Sequence, residues 1–368
     1  MSALFTPLNL GPLSLDNRIV IAPMCQYSAT DGLASAWHRQ HIGALACSGA
    51  GLLLMEATAV TPTGRITPAC LGLWNDAQAS ALQQLLSEVS GYSAMPIGIQ
   101  LAHAGRKGSH APPWQGGALL SAAEGGWHNV APSALPYAES QTAPHALTVA
   151  EIHSLIDAFA AAAVRAKACG FKLIELHAAH GYLLHQFLSP LANHRSDAYG
   201  ATLSGRCRLV LEVLAATRAA VGDEIAVGLR VSATDWVNGG WDLAMTTQLA
   251  RQCEQQGADF IHISSGGLSP QQVIAAKPLF QVPLARHIKQ HVQIPVIAVG
   301  MITTPQQAES VLVEQAADAV ALARAFLLNP HWPYQAAIEL GGRVTAPKQF
   351  WRSAPAGYPD LYKTESDR

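Results

Sequence analysis

The chain has 368 residues, of which 49% are hydrophobic and 13% are charged. A single domain of this length buries roughly three-quarters of the surface that its unfolded chain exposes, so a large core is available. The low charged fraction is typical of a fold whose strands are covered on both faces. The formal net charge is −2 and no block of like charges occurs, which excludes the basic footprint of a nucleic-acid-binding protein and the charged stripe of a membrane-surface protein.

Six cysteines are scattered along the chain, and no two of them form a C-x-x-C pair. This spacing argues against a metal cluster or a disulfide framework and predicts a cytoplasmic, reducing location. The N-terminus lacks a basic region followed by an apolar segment, so we expect no signal peptide. The longest uncharged apolar stretch, residues 42–55, is broken by Gly49 and Gly51 and is too short to span a bilayer.

Eight apolar, β-rich segments alternate with helical patterns. In chain order they are residues 18–22, 51–55, 96–100, 172–176, 225–230, 259–263, 295–299 and 318–322. One intervening helix is well marked, because Thr148 and Glu151 form a capping box at its start and Gly170 is its stop signal. Eight strands separated by helices predict parallel βαβ units closed into one α/β domain, a (β/α)8 TIM barrel over residues 1–340. An open doubly wound sheet is the alternative.

Three segments do not follow this alternation. Residues 8–19 contain a turn at Gly11-Pro12 and predict a hairpin that plugs the barrel floor. The connection after the third strand, residues 104–146, is rich in Pro, Gly and Trp and is unusually long. Because such βα loops lie on the catalytic face of a barrel, we expect a partial lid. Residues 341–368 form a separate C-terminal tail.

Many of the residues at the ends of the predicted strands are polar. Active sites of barrel enzymes lie at the C-terminal ends of the strands, and packing alone does not explain so many polar groups there. The strand-end residues are Pro23, Met24, Cys25, Ala57, Gln100, His177, His180, Arg230, Ser264, Ser265, Gly300 and Arg324.

Two histidines leave the fourth strand together. His177 and His180 are three residues apart, and Tyr182 follows two residues later. Three interpretations are open: histidines satisfied within the core, a pair of zinc ligands, or paired donors that polarise a carbonyl oxygen while the phenol gives a proton. The zinc interpretation lacks a third ligand at a suitable spacing nearby.

The ends of the last two strands carry small residues and an arginine. Gly300 and Met301 follow the seventh strand, and Ala323 and Arg324 follow the eighth. In barrels this is the usual phosphate site, where backbone N–H groups and a guanidinium hold the phosphate. The alternative for Arg324 is a surface ion pair.

These residues also carry a family resemblance. The chain resembles the old yellow enzyme family, specifically its bacterial branch of short, xenobiotic-reductase-like and thermophilic-like ene reductases. The resemblance covers nearly the whole chain, and its motifs occur in the same order along the barrel. The matching segments are residues 18–27, 100–107, 177–182, 189–193, 230–233 and 298–301.

By resemblance, one tightly bound FMN lies across the barrel mouth. Gln100 and Arg230 would bind its pyrimidine edge, while residues 23–25 and Ala57 would line its ring. Gly300, Met301, Ala323 and Arg324 would hold its phosphate. Cys25 would adjust the flavin potential and the substrate affinity, since many relatives outside this branch have threonine there; its alternative role is that of a small buried hydrophobe. Tyr27 would help to close the substrate pocket, unless it is only a packed aromatic.

The resemblance implies a reductase of activated C=C bonds, with enones and enals as substrates. His177 and His180 would bind the substrate carbonyl, flavin N5 would deliver hydride to the β-carbon, and Tyr182 would protonate the α-carbon. NADPH or NADH would reduce the flavin and leave first, which gives ping-pong kinetics. No G-x-G-x-x-G follows a predicted strand, so we expect no separate dinucleotide domain. A zinc-dependent barrel hydrolase and a flavin-binding protein without turnover are the alternatives.

The tail carries Phe350, Trp351 and Arg352. The resemblance implies a homodimer or a dimer-based tetramer in which Trp351 and Arg352 bind substrate in the neighbouring subunit's site. The alternative is that the tail packs on its own barrel. Two positions depart from the family pattern: Ala323 replaces a glycine before the phosphate arginine, and Ala201 replaces the second glycine of a Tyr-Gly-Gly.

Overall fold

Eight strands close into a barrel in the structure, a computed structural model that describes residues 2–363. Met1 and the end of the predicted tail, residues 364–368, lie outside the described residues. The strands are β1 (Leu8–Leu10), β2 (Leu13–Leu15), β3 (Ile19–Ile21), β4 (Leu52–Ala59), β5 (Ile97–Ala102), β6 (Val130–Ala131), β7 (His145–Ala146), β8 (Leu173–Ala178), β9 (Ala226–Ser232), β10 (Phe260–Ser264), β11 (Val296–Val299) and β12 (Ala319–Leu322).

Helices follow the barrel strands and cover the outside of the barrel. They are α1 (Ala36–Ala46), α2 (Asp76–Ser90), α3 (Val149–Cys169), α4 (Leu183–Leu188), α5 (Leu203–Val221), α6 (Leu243–Gln255), α7 (Val282–Lys289), α8 (Pro305–Val313), α9 (Arg324–Leu328) and α10 (Trp332–Leu340). Short 3-10 helices lie at Ala3–Phe5, Pro62–Gly64, Gly105–Lys107, Pro113–Gln115, Ala122–Glu124, Gly222–Glu224 and Lys348–Ser353. No helix in the described part of the chain is long and apolar enough to cross a membrane.

The barrel strands are the eight segments that the sequence predicts, each starting one residue after its predicted start. Neighbouring strands are parallel and run in the order β3-β4-β5-β8-β9-β10-β11-β12, and β12 pairs with β3 to close the ring. The (β/α)8 barrel is therefore confirmed. The open doubly wound sheet is wrong, because the ring is closed and none of its eight strands is an edge strand.

The N-terminal hairpin closes the floor of the barrel, as predicted. β1 and β2 pair antiparallel, and Leu10 and Leu15 are fully or almost fully buried in an apolar cluster with interior side chains such as Leu52, Leu173 and Phe260. The turn between the two strands requires Gly11, whose φ is +54° and whose missing Cβ would overlap the side chain of Asp259.

Helix α3 begins and ends at the predicted residues. The Glu151 carboxylate accepts from the Thr148 N–H at 2.7 Å, and the Glu151 N–H donates to the Thr148 hydroxyl at 3.3 Å. Gly170 ends the helix with a φ of +102°, a left-handed conformation that side chains rarely adopt. These local signals fix the helix without any knowledge of its packing.

The long connection before α3 is irregular but anchored. It contains three short 3-10 helices and the two-stranded parallel sheet of β6 and β7. Arg106 near its start donates to the Leu268 carbonyl at 3.0 Å, and Trp114 contacts Tyr27 edge to face at 5.7 Å between ring centroids. The connection thus reaches residues at the C-terminal ends of the strands, where a lid would lie.

The hairpin plug has a measurable energetic role. Leu10→Ala should lower the free energy of unfolding by about 2–5 kcal/mol, because it truncates a fully buried side chain. Leu328→Ala is the matched control: Leu328 is 89% exposed, so the change should stay within about 0.5 kcal/mol. Equilibrium unfolding in urea measures both values. Equal effects of the two variants would contradict the placement of the hairpin in the barrel floor.

Candidate active site

One end of the barrel interior is polar. Alternate residues of a strand point to the same face, so in β8 the interior positions run from Leu173 in the apolar floor to Glu175 and His177 near the mouth. The same alternation in the neighbouring strands gives a set of buried polar side chains at this end: Gln100, Glu175, His177, Arg230, His262 and Ser264.

A carboxylate links several of these side chains. Gln100 Nε2 donates to Glu175 Oε1 at 2.7 Å, and Glu175 Oε2 lies 2.7 Å from His262 Nδ1. Arg230 is opposite His177 on one side and His262 on the other in the strand register. Its Nε is buried and has no hydrogen-bond partner among the described residues. The set therefore has a donor left for a ligand.

A bulge in β4 places Ala57 beside this set. The register shifts at Glu56, so that Ala57 pairs with Gln100. The Glu56 carboxylate instead accepts from the Gln26 backbone N–H at 3.0 Å and lies 3.1 Å from His38 Nε2. The bulge thus re-aims one side chain, as bulges near active sites do, and ties the segment after β3 to helix α1.

The two predicted histidines present converging donors. His177 Nδ1 accepts from the Ala179 N–H at 3.2 Å, so the neutral ring carries its proton on Nε2. His180 Nε2 lies 2.7 Å from Ser264 Oγ; when this hydroxyl donates, the His180 proton is on Nδ1. His177 Nε2 and His180 Nδ1 are 3.4 Å apart. One oxygen at about 2.9 Å from each nitrogen can accept both hydrogen bonds.

The backbone of His180 is in an unusual conformation that its neighbours hold in place. Its φ is +57°, and that of Gly181 is +76°. The His180 N–H donates to Ser232 Oγ at 2.9 Å, and the His180 carbonyl accepts from Lys107 Nζ at 2.8 Å. Left-handed conformations of non-glycine residues occur preferentially at functional sites, where the surrounding structure enforces them.

His177, His180 and Tyr182 are neutral at physiological pH. Burial, and then the positive charge of Arg230, hold the pKa of His177 and of His180 well below the ordinary histidine value. Burial raises the pKa of Tyr182 well above 10. Neutral imidazoles and a protonated phenol are therefore available as hydrogen-bond donors at pH 7.

Tyr182 lies beside His177, as the sequence suggests, and beside a lysine that the sequence analysis did not assign. The ring centroids of Tyr182 and His177 are 4.9 Å apart. Lys107 Nζ lies 5.3 Å from the Tyr182 ring centroid and 4.8 Å from that of Tyr137. Burial lowers the pKa of Lys107 to about 8. Only its occurrence in the matching segment 100–107 pointed to this residue.

Cys25 has a thiol partner that was also missed. A hydrogen bond with Cys70 and burial raise the pKa of Cys25 well above its ordinary value, so it remains a thiol and is a poor nucleophile. Cys70 in turn accepts from the Thr67 N–H at 3.3 Å. Tyr27, two residues after Cys25, has a φ of +47° and is half-buried. Distance along the sequence hides the pairing of the two cysteines.

The proposed phosphate residues occupy the ends of β11 and β12. Gly300 has a φ of +125°, and a Cβ there would overlap the side chain of Gln281, a further residue not predicted. Gln281 donates to the Val299 carbonyl at 2.8 Å. Ala323 has a φ of −112° and a ψ of −85°, and Arg324 is exposed at the first position of α9.

These residues fit a flavin mononucleotide. Arg230 Nε is an unpaired buried donor, the Gln100 amide lies in the same polar set, and a guanidinium at Arg324 suits a phosphate. Pro23, Met24 and Cys25 are half-buried beside β3, where a planar ring could cover them. The buried donors suit the pyrimidine edge of the cofactor, and the exposed Arg324 guanidinium suits its phosphate.

The tail residues are not part of this end of the barrel. Trp351 and residues 345–349 line a groove together with Gly51 and Pro96, which precede β4 and β5 and so mark the opposite end. Trp351 Nε1 donates to the Ala346 carbonyl at 3.2 Å, and Arg352 is exposed. The structure thus does not bring Trp351 or Arg352 to the histidines of their own chain.

Comparisons with known proteins agree with this geometry. Residues 3–341 match the model of the NADH:flavin oxidoreductase / NADH oxidase family. The chain is 42% identical over 353 residues to an NADPH dehydrogenase of Geobacillus thermodenitrificans, with 95% of this chain and 98% of the relative covered. It is 41% identical over 358 residues to an NADPH dehydrogenase of Listeria monocytogenes, with 96% and 99% covered.

Solved structures give the same result. Morphinone reductase in complex with tetrahydroNAD has a TM-score of 0.75 at 29% identity and covers 100% of this chain and 99% of its own. 2-Naphthoyl-CoA reductase has a TM-score of 0.82 at 25% identity, with 92% of this chain and 52% of that chain covered. The resemblance to old yellow enzymes is confirmed, and the cofactors are FMN and a nicotinamide nucleotide. The chain belongs to the NADH:flavin oxidoreductase / NADH oxidase family of enzymes.

Proposed function

We propose that this enzyme reduces C=C bonds conjugated to a carbonyl group, with enones and enals as its substrates and NADPH or NADH as the reductant. The observation that carries the proposal is the pair of donors, His177 Nε2 and His180 Nδ1, which are 3.4 Å apart. When the Ser264 hydroxyl donates to His180 Nε2, both of these nitrogens carry protons, and one carbonyl oxygen at about 2.9 Å from each can accept both hydrogen bonds.

Each residue of the site would have a separate role in the reaction. His177 and His180 bind the carbonyl oxygen, draw electrons toward it and leave the β-carbon electron-poor. Bound FMN, reduced by the nicotinamide nucleotide, supplies the hydride. Tyr182 beside His177 gives a proton to the α-carbon. Because burial raises the pKa of the phenol, the acid is protonated at pH 7.

The cofactor contacts are part of the same proposal. Gln100 and Arg230 hold the pyrimidine edge, and the positive charge of Arg230 favours the reduced, anionic flavin. Tyr27, against Trp114 of the long connection, closes the substrate pocket. The ring is lined by Pro23, Met24, Cys25 and Ala57, and the phosphate is held by Gly300, Met301, Ala323 and Arg324.

The chain offers less support for a zinc-dependent hydrolase. Besides burial, the cations Arg230 and Lys107 lower the pKa of His177 and His180, and the same positive charges would repel a divalent metal ion. Within residues 2–363, no group of three His, Cys, Asp or Glu side chains is arranged to hold a metal. Only a measurement of turnover distinguishes an enzyme from a flavin-binding protein without turnover.

We also propose a cytoplasmic location and a symmetric homodimer or dimer-based tetramer. All six cysteines are free, as in a reducing compartment. Trp351 and Arg352 lie far from the mouth of their own barrel, yet Arg352 is exposed. A partner's site is the place where this arginine could bind substrate, and two-fold symmetry would let one interface serve both sites.

The first test concerns the cofactor and the reaction together. The purified protein should be yellow, should release one FMN per chain on denaturation, and should oxidise NADPH or NADH when cyclohexenone is added. Visible spectroscopy and steady-state assays measure these properties. A colourless protein with stoichiometric zinc would support the hydrolase, and a yellow protein that leaves enones, enals and maleimides unreduced would support flavin binding without turnover.

Tyr182→Phe tests the proton donor. Enone reduction should slow by on the order of 10²–10⁴-fold, because a positioned general acid is lost, while flavin reduction by NADPH should stay at the wild-type rate. Stopped-flow absorbance of the two half-reactions separates them. Tyr92→Phe, at an exposed tyrosine near the opposite end of the barrel, is the control and should change neither rate. An unchanged oxidative half-reaction in Tyr182→Phe would remove the phenol from the mechanism.

Complementation tests the tail. Arg352→Ala and Tyr182→Phe chains should each be poorly active, and a mixture that exchanges subunits should recover activity, because mixed dimers pair one intact core with one intact tail. Native mass spectrometry verifies the exchange and the steady-state assay measures recovery. If exchange occurs without recovery, or the wild-type protein is a monomer, Arg352 does not act in the partner's site.

A further inference from the structure

Behind the proposed flavin edge, Glu175 occupies the centre of a chain of hydrogen bonds. Its Oε1 accepts from Gln100 Nε2 at 2.7 Å and its Oε2 lies 2.7 Å from His262 Nδ1. The side chains of Glu175 and His262 are fully buried. None of the strand-end patterns or family motifs assigned a role to either residue, since both lie within strands rather than at their ends.

The charges of the chain settle which atoms carry protons. Burial alone would raise the pKa of Glu175, but His262, Arg230 and the Gln100 amide together hold it below the ordinary value. Burial lowers the pKa of His262. The carboxylate is therefore ionised and the imidazole neutral, and since an ionised carboxylate only accepts, His262 has its proton on Nδ1.

This fixes the orientation of the Gln100 amide. An amide has a donor end and an acceptor end that differ little in shape. Because Glu175 accepts only, the nitrogen of Gln100 must face it and the oxygen must face away. Among residues 2–363, no group donates to Gln100 Oε1. An acceptor with a defined direction is thus left for a ligand N–H.

We propose that Glu175 is a positioning residue that turns the Gln100 oxygen toward the N3–H of the flavin, with His262 holding Glu175 in that role. The inference rests on the proposed binding of the flavin pyrimidine at Gln100 and Arg230. The pyrimidine edge of the flavin has one N–H, at N3, between two carbonyl oxygens. An amide oxygen can accept a hydrogen bond from N3–H. An amide nitrogen in the same place would set one donor against another.

Glu175→Gln should reverse this orientation. His262 Nδ1–H would hold the oxygen of the new amide, whose nitrogen would then face Gln100. Gln100 would have to present its oxygen to that nitrogen and its own nitrogen to the flavin. The variant should therefore lose the ability to recognise N3–H while leaving the shape of the site unchanged.

The probe is a pair of cofactors, FMN and FMN methylated at N3, bound to apoprotein and followed by flavin fluorescence. Wild type should prefer FMN, and Glu175→Gln should reduce that preference by about tenfold, the size expected for one hydrogen bond at a buried site. The bulk of the methyl group acts equally in both proteins, so the change in preference isolates the N3–H contact. Glu309→Gln, at a carboxylate that binds the N-terminal segment instead, should keep the wild-type preference.

If Glu175→Gln fails to fold, variants of His262 test the same positioning role. His262→Asn retains an N–H near the position of Nδ1 and should keep the preference. His262→Leu removes the donor, so burial favours a protonated Glu175 whose O–H can bind the Gln100 oxygen, and the preference should fall. Wild-type preference in folded Glu175→Gln, or in His262→Leu, overturns the inference. Failure of wild type to bind FMN at all would instead refute the proposed function.

Discussion

The ionised carboxylate of Glu175 is the constraint on which the mouth of the barrel depends. A buried charge is tolerated only when opposite charge and hydrogen bonds surround it. Here Gln100 and His262 satisfy its two oxygens, and Arg230 on the adjacent strand balances its charge. Burial, and then the same guanidinium, lower the pKa of His177 and His180 and keep them neutral. The charge of Arg230 thus acts on both the cofactor-facing and the substrate-facing side chains.

The strand register explains how these groups meet. Gln100 is opposite Glu175, and Arg230 is opposite both His177 and His262, across three parallel pairings. A slip of one residue in any of these strands would turn its polar side chains out of the barrel. The apolar floor, filled by Leu10 and Leu15 of the hairpin, gives the interior a fixed lower boundary. The buried polar side chains can then lie only at the C-terminal end of the barrel.

The sequence predicts the eight strands because buried parallel strands are short apolar runs, and it predicts α3 because capping is local. It also predicts the strand-end histidines and Tyr182, which one short segment contains. It does not predict the roles of Glu175 and His262, because their contact joins strands 87 residues apart in the chain. The contact between Cys25 and Cys70 is missed for the same reason. One backbone conformation is indicated by the family pattern: Ala201, where the pattern has glycine, adopts a φ of +56°.

Closure of the ring by β3 and β12 has a consequence for the folding of the chain. Val20 pairs with Ala321, so the first barrel strand has an open edge until nearly the whole chain has left the ribosome, because domains emerge from the N-terminus onward. Such long-range pairings fold slowly, and an open edge can pair with another chain. Of the buried polar side chains at the mouth of the barrel, Arg230 and His262 are added only after more than half of the chain has been synthesised. Cofactor binding at the proposed flavin site is therefore expected late in synthesis.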